Sequence, residues 1–336
     1  MNPFVSIIVP CYNEETTIRH LLDSVLAQTY PRALMELIIS DGLSTDRTRA
    51  VIAEFQIEHA DLSVRVVENS ARTIPSGLNQ AIRESRGGII VRLDAHSMPI
   101  PEYVERCVAA HESGKGDNVG GVWEIRAGAD TWIAKSISFA AAHPLGVGDA
   151  MYRLNAKAGA ADTVPFGSFR RALIDRIGAF DETLLANEDY EFNTRVRESG
   201  GTVWLDPSIR SVYFSRSTLG KLAHQYWRYG FWKFKMLKRY PHTLRWRQAL
   251  PPVFVLILFI FIVLSLFSGL ARYILAAQVL IYISILGLAG LKMTIEKKNA
   301  IFLVGLPLAI MTMHIAWGAG FLWSSVANPF KISKHG

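Results

Sequence analysis

Cysteine is nearly absent from this chain, with two residues in 336, Cys11 and Cys107. Two thiols so far apart make no disulfide framework, which excludes a stapled secreted module and points to a reducing compartment. Acidic residues vanish over one long stretch, with none between Asp206 and Glu296. Charge is scarce throughout, 19% against 50% hydrophobic, so a self-solvating disordered chain is excluded as well. A glycine-rich nucleotide fingerprint is also missing. The loop after the first apolar run reads PCYNEE, without glycine, and no Walker sequence occurs. Gly146-Val147-Gly148 lacks a third glycine and does not follow the first strand. A carboxylate at Glu14 would repel a pyrophosphate seated on the helix terminus, which argues against a dinucleotide oxidoreductase. Nothing at the start resembles a signal peptide, so the first domain is expected to stay where it is made.

What is present divides into two objects. Residues 1–206 carry 28 acids and 20 bases, a net charge of −8, whereas residues 207–336 carry 16 bases and the single acid Glu296, a net charge of +15. The second part holds 24 uncharged positions between Arg247 and Arg272, 19 between Arg272 and Lys292, and 32 between Lys298 and Lys331. About 20 apolar residues cover a bilayer core, so membrane spans are predicted at 251–269, 273–291 and 301–323, within a transmembrane region 251–327. Lys292, Lys297 and Lys298 outweigh Arg272, which by the positive-inside rule puts residues 1–250 and 292–299 in the cytoplasm. Three spans then leave Lys331 and Lys334 on the far side, against the same rule, unless the third segment is re-entrant.

Residues 215–250 mix bases with aromatics: Lys221, Arg228, Lys233 and Lys235 alternate with Tyr226, Trp227, Tyr229 and Trp232. Directly before a span, this composition predicts a helix lying among the headgroups, with membrane lipid and not nucleic acid as its partner.

Residues 1–214 alternate short apolar runs with helical periods. Runs at 4–10, 34–40, 64–68 and 89–93 read as strands, and 16–28, 46–59 and 76–85 read as helices. That rhythm predicts an α/β domain with a mostly parallel sheet, whose ligands bind where loops leave the carboxyl ends of the strands. The loops there are polar: Pro10–Glu15, Asp41–Asp46 and Asp94–His96. Ser44 or Thr45 is expected to cap the helix beginning at Asp46. The segment 141–165 reads as a long loop and a possible lid.

VSIIVPCYNEE (5–15), ISDGLSTDRT (39–48), SGLNQAI (76–82), RLDAHS (92–97), PFGSFRR (165–171) and NEDYE (187–191) resemble, in order and spacing, the family 2 inverting glycosyltransferases. Asp-Ala-His, PFGSFRR and the trailing spans resemble the membrane-anchored enzymes of succinoglycan-type exopolysaccharide assembly. The resemblance implies a GT-A fold, a nucleotide-sugar donor, a lipid-linked saccharide acceptor, a divalent cation (Mg²⁺ or Mn²⁺) and polysaccharide-assembly proteins as partners. It also implies that Asp41 accepts the uracil N–H of a UDP-sugar, with Pro10, Tyr12 and Glu14 about the base and ribose and Arg72 near the nucleotide. A neutral reading of Asp41 is a turn or helix-cap residue, since Asp-Gly favours turns. Asp94 and His96 stand where the family has Asp-x-Asp and would hold the cation beside the donor diphosphate. An imidazole in place of the second carboxylate favours Mn²⁺ over Mg²⁺. Asp189, beside Glu188, would be the catalytic base; an acid at a helix start also reads as a dipole partner. Gln225 and Arg228 resemble the Gln-x-x-Arg-Trp element, with Tyr229 replacing Trp, and would face the acceptor or the diphosphate. A processive synthase and a non-catalytic membrane scaffold are the competing functions.

Overall fold

The first two apolar runs become strands buried on both faces. Along β1 (Val5–Cys11) and β2 (Met35–Asp41), alternate side chains enter two different cores. Val5, Ile7, Val9, Leu37 and Ile39 pack with helices α1 (Ile18–Leu26) and α2 (Thr48–Glu58), whereas Ile8 and Ile38 pack with α3 (Ile74–Glu84). A strand with helices on both sides has no wet face, so its two-residue period reads as a continuous apolar run. The structure, a computed structural model, describes residues 2–154 and 157–327. Lys331 and Lys334 lie outside the described residues.

The chain continues through β3 (Ser63–Glu68), β4 (Ile89–Arg92), β5 (Met98–Pro99), α4 (Tyr103–Glu112), β6 (Asn118–Arg126), α5 (Trp132–Ala140), α6 (Pro144–Val147), β7 (Gly159–Ala160), β8 (Ser168–Arg170), α7 (Arg171–Ile177), α8 (Glu188–Glu198) and β9 (Val203–Phe214). The sheet order is β3-β2-β1-β4-β8-β6-β9-β5, with β7 against β9. β3, β2, β1 and β4 are parallel, while β8 joins β4 antiparallel and β5 joins β9 antiparallel. The sheet is therefore mixed: its parallel half is the part that alternated regularly in the sequence. Strand order reverses between β1 and β4, which places a crevice at their carboxyl ends.

Two units make up the fold, Met1–Glu124 with Met151–Tyr213, and Ile125–Ala150 with Phe214–Gly336. The second contains α5, α6, α9 (Leu219–Leu237), α10 (Trp246–Ser265), α11 (Gly269–Lys297) and α12 (Ile301–Ala327). Helices α10, α11 and α12 are each long and apolar enough to cross a membrane. The stretch 141–165 holds α6, a single 3₁₀ turn at Met151–Arg153 and β7.

The start of α2 differs from the expected one. The helix begins at Thr48, two residues later than the apolar period suggests, and neither Ser44 nor Thr45 caps it. Ser44 stands three residues before the N-cap position at Arg47, and its hydroxyl donates to Asp41 Oδ1 at 2.5 Å and accepts from Asn13 N–H.

Candidate active site

The loops leaving β1 and β2 are stitched together before any ligand arrives. Asn13 N–H donates to Ser44 Oγ at 2.9 Å, Thr45 N–H to Asn13 Oδ1 at 2.9 Å, Glu14 N–H to Thr48 Oγ1 at 2.8 Å and Arg47 N–H to Glu15 Oε2 at 2.9 Å. Asp41, at the tip of β2, is fully buried, and its carboxylate accepts from Ser44 and from Arg49 Nε at 2.5 Å. In this structure Asp41 thus orders the loop pair from within. Pro10 lies half-buried on β1, whereas Tyr12 is exposed. Asn13, Leu43 and Arg72 follow β1, β2 and β3 in turn, and all three take positive φ, at 53°, 62° and 56°. Each such residue costs roughly 1 kcal/mol or more, a strain that collects where a loop is shaped for a ligand. Arg72 is exposed. Cys11, at the tip of β1, has its thiol pushed up by burial first and by the charge of Glu14 next, so it is no nucleophile at neutral pH.

The centre of the site is a residue the motif reading passed over. Arg92, the last residue of β4, is 2% exposed, and its guanidinium meets three carboxylates. Nη2 reaches Glu188 Oε1 at 3.0 Å and Asp94 Oδ1 at 3.3 Å, and Nη1 pairs with Asp189 Oδ1. Burial alone would lower the pKa of Arg92, but the charges of Asp94 and Glu188 outweigh it and raise the value above the ordinary one. Glu188 and Asp189 come from the first turn of α8, whose N-cap, Asn187, takes the left-handed conformation at φ 64°. Arg92 N–H donates to Gly167 O at 3.0 Å, which fixes β4 against the segment entering β8. PFGSFRR is otherwise scaffold: Arg171 holds the carbonyls of Gly87 and Ser85 at the end of α3. The signal for Arg92 was present in the sequence, since a charge at the end of the buried run IIVR must be paired.

Asp94 and His96 are parted. The chain leaves β4 at Arg92 and turns after Asp94, with Ser97 N–H donating to the Asp94 carbonyl at 2.9 Å. Asp94 goes to Arg92, while His96 Nδ1 lies 3.0 Å from Glu14 Oε1. Thr17 also donates to the Glu14 carboxylate. Among the described residues no group of three or more His, Cys, Asp or Glu is placed to hold a metal by itself. One guanidinium facing three carboxylates does leave an excess of negative charge, however, and a divalent cation would suit that excess. Gln225 and Arg228 lie on α9, in the second unit. Gln225 Nε2 donates to Tyr229 Oη at 2.9 Å, and Arg228 is exposed.

The Glycosyl transferase family 2 model matches residues 6–178, more than half of the chain. The chain belongs to glycosyltransferase family 2. It is 28% identical to the succinoglycan biosynthesis protein ExoA of Rhizobium meliloti, over 94% of this chain and 93% of that one. It is 27% identical to the dolichyl N-acetyl-α-D-glucosaminyl phosphate 3-β-D-2,3-diacetamido-2,3-dideoxy-β-D-glucuronosyltransferase of Methanococcus voltae, over 95% and 96%. In structure it is similar to the mannosyltransferase PcManGT of Pyrobaculum calidifontis in complex with GDP-Man and Mn²⁺, with a TM-score of 0.66 at 20% identity, over 96% of this chain and 88% of that one. That likeness carries the fold, GT-A. The chain is therefore a nucleotide-sugar-dependent glycosyltransferase with apolar helices of membrane-spanning length, and the scaffold reading is set aside.

Proposed function

We propose that the chain is an inverting hexosyltransferase. It moves glucose from UDP-glucose to a polyprenyl-diphosphate-linked saccharide in exopolysaccharide assembly at the cytoplasmic face of the inner membrane. The observation that carries this reading is the buried Arg92, which gathers Asp94, Glu188 and Asp189 at the carboxyl ends of the strands. Relatives named for lipid-linked or exopolysaccharide substrates over nearly their whole length support the acceptor.

In this reading the loops after β1, β2 and β3 receive the nucleotide: Tyr12 and Pro10 against the base, Glu14 toward the ribose, Arg72 from the rim, with Asp41 directing the base. Asp94 and His96 would hold the divalent cation, His96 on release from Glu14. That cation, when bound, supplies positive charge to the departing diphosphate. Asp189 takes the proton from the acceptor hydroxyl as its oxygen attacks the anomeric carbon from the face opposite the leaving group. Arg92 fixes the direction of the Asp189 carboxylate, and Glu188 fixes Arg92. An inverting transfer needs one base and no protein acid, unlike glycoside hydrolysis with its two carboxylates. Residues 215–250, which include Gln225 and Arg228, lie at the headgroups, where a lipid-linked hydroxyl is found.

The test is release of UDP from UDP-glucose with Mg²⁺ or Mn²⁺, with and without a lipid-linked saccharide, followed by mass analysis of the product. Acceptor-dependent release with one added hexose of inverted configuration is expected. A ladder of products would move the assignment to a processive synthase, and retention of configuration would remove Asp189 from its role.

A further inference from the structure

Length and composition allow α10, α11 and α12 each to cross a bilayer, but their surroundings differ. From Leu256 to Ile281, across the turn that joins α10 to α11, Ala271 is the only buried residue. Two helices stand there as a bare hairpin. Helix α12 meets this hairpin elsewhere, in its base. Leu303 lies against Gly290, His314 Nδ1 is 3.0 Å from Tyr282 Oη, Trp317 Nε1 donates to Gln248 O at 3.1 Å, and Gly318 lies on the Pro251 carbonyl. A third span would have covered the hairpin along its far half. That half is uncovered.

The second half of α12 is occupied by α9 instead. Ala223, His224 and Trp227 share a groove with Met311, Ile315 and Ala319. Further on, Phe234 sets its ring 5.2 Å from that of Phe321. The two helices run parallel through these pairs, over about 16 Å of axis. A Cβ at Gly230 would run into the Trp317 carbonyl, and one at Gly320 into the Trp227 carbonyl, so the backbones touch. The two helices therefore share one orientation in the membrane.

α9 cannot cross. Lys221, His224, Arg228 and Lys238 are exposed along its whole length, and no stretch between them approaches the apolar run a span requires. The elements packed on the first half of α12 carry charge as well. Ser136 and Phe139 of α5 pack on Gly305 and Phe302, with Lys135 of the same helix paired to Asp130 at 2.5 Å. The Leu145 carbonyl, 2.7 Å from His314 Nε2, is four residues from Asp149, which pairs with Arg247 at the head of α10.

We propose that the chain crosses the bilayer twice, by the α10–α11 hairpin, and that α12 lies within the near leaflet along α9, with the exposed bases of α9 toward anionic headgroups. The end of α12 then lies on the side on which α9 lies. This also removes the conflict that three spans create for Lys331 and Lys334. The inference rests on the headgroup position proposed for α9, not on the transfer reaction.

The experiment is cysteine accessibility in the full-length chain. The native thiols, Cys11 and Cys107, are both buried. Lys221→Cys, Ser268→Cys, Asn299→Cys and Lys334→Cys are each expressed singly, and sealed membrane vesicles of both orientations are treated with a membrane-impermeant maleimide. Labelling of Lys221→Cys, Asn299→Cys and Lys334→Cys from one face and of Ser268→Cys from the other is expected. Labelling of Lys334→Cys from the same face as Ser268→Cys would overturn the proposal in favour of three spans. A Ser268→Cys thiol shielded from both faces overturns it in favour of a hairpin that dips without crossing. A Lys221→Cys thiol shielded from both faces removes the premise about α9 itself, an outcome separable from the other two.

Discussion

Two buried ion clusters sit on the same sheet, one at each end of its strands. At the amino end, Glu36 of β2 is fully buried and accepts from Ser6 Oγ at 2.6 Å, Arg86 N at 2.7 Å, Arg86 Nε at 3.0 Å and Arg65 Nη2 at 3.0 Å. One acid meets two arginines whose other faces are wet. At the carboxyl end, Arg92 is the buried member and faces three acids. In the first cluster the acid's charge is met within the cluster by two guanidinium groups. The second holds more negative charge than its guanidinium neutralises, and two of its acids, Asp94 and Asp189, keep about a quarter of their side-chain surface open. An excess of negative charge that solvent and ligands can reach marks a candidate site, which is why the same chemistry reads as scaffold at one end and as site at the other.

The sharpest break in this comparison is Asp189→Asn. It removes a negative charge and a proton acceptor but keeps the shape, so turnover is expected to fall by about 10²–10⁴. Thermal stability and donor binding should change little. A variant that retains its turnover would take the base out of this cluster. Arg92→Met cuts deeper into the fold: with the guanidinium gone, three carboxylates face each other in a buried place, at a cost of about 3–5 kcal/mol. Arg92→Lys, keeping the charge but not the fork, is expected to fold and to lose most of its turnover. If Arg92→Lys matches the parent in kcat, the positioning role is wrong.

Much of the first unit was legible because periodicity carried it. β1, β2, α1 and α3 appear within a few residues of where the apolar spacing puts them, since each buries a whole face. Three strands of the antiparallel half were not legible: β5 and β7 have two residues and β8 three, too short to show a period. Asp189 could be singled out from NEDYE, yet its partner Arg92 stands 97 positions earlier, and nothing local joins them. The pairing of His96 with Glu14 was hidden for the same reason. For α12, composition reported length and apolarity but could not report neighbours, and the neighbours decide whether a helix crosses.

Glu36→Gln tests the amino end. The amide must point at least one donor at Ser6 Oγ–H or at the guanidinium groups, so roughly 1–3 kcal/mol of stability should be lost. Turnover per folded molecule should stay at the parent value. The pH dependence has a definite sign. Burial pushes the Glu36 carboxyl up, but the Ser6 hydroxyl and the hydrogen bonds from Arg86 and Arg65 outweigh this and hold it below the usual glutamate range. A depressed folded pKa stabilises above the ordinary value and is lost as pH falls through the folded one. The parent should therefore lose this contribution on acidification, and the Gln variant should show a flatter acid limb in thermal melts. Identical limbs would mean that Glu36 carries no such linkage.

The smallest expected effect belongs to Arg72, on the rim of the loop after β3. The residue holds a positive φ, and its exposed side chain takes part in no buried cluster. Arg72→Ala keeps the strained backbone and removes only the guanidinium, which as a charge-assisted partner of a nucleotide phosphate is worth about 1–2 kcal/mol in an open position. KM for the sugar nucleotide should rise by about 5- to 30-fold with kcat nearly unchanged, since the contact is the same before and during transfer. Arg72→Gly removes the same contact while relaxing the backbone, so its KM should match that of the Ala variant and its thermal stability should exceed it. If KM stays at the parent value in both, Arg72 is solvated and the donor is held from the β1 and β2 loops alone. If kcat falls instead, the loop after β3 closes over the donor during transfer, and the strain at φ 56° belongs to that movement.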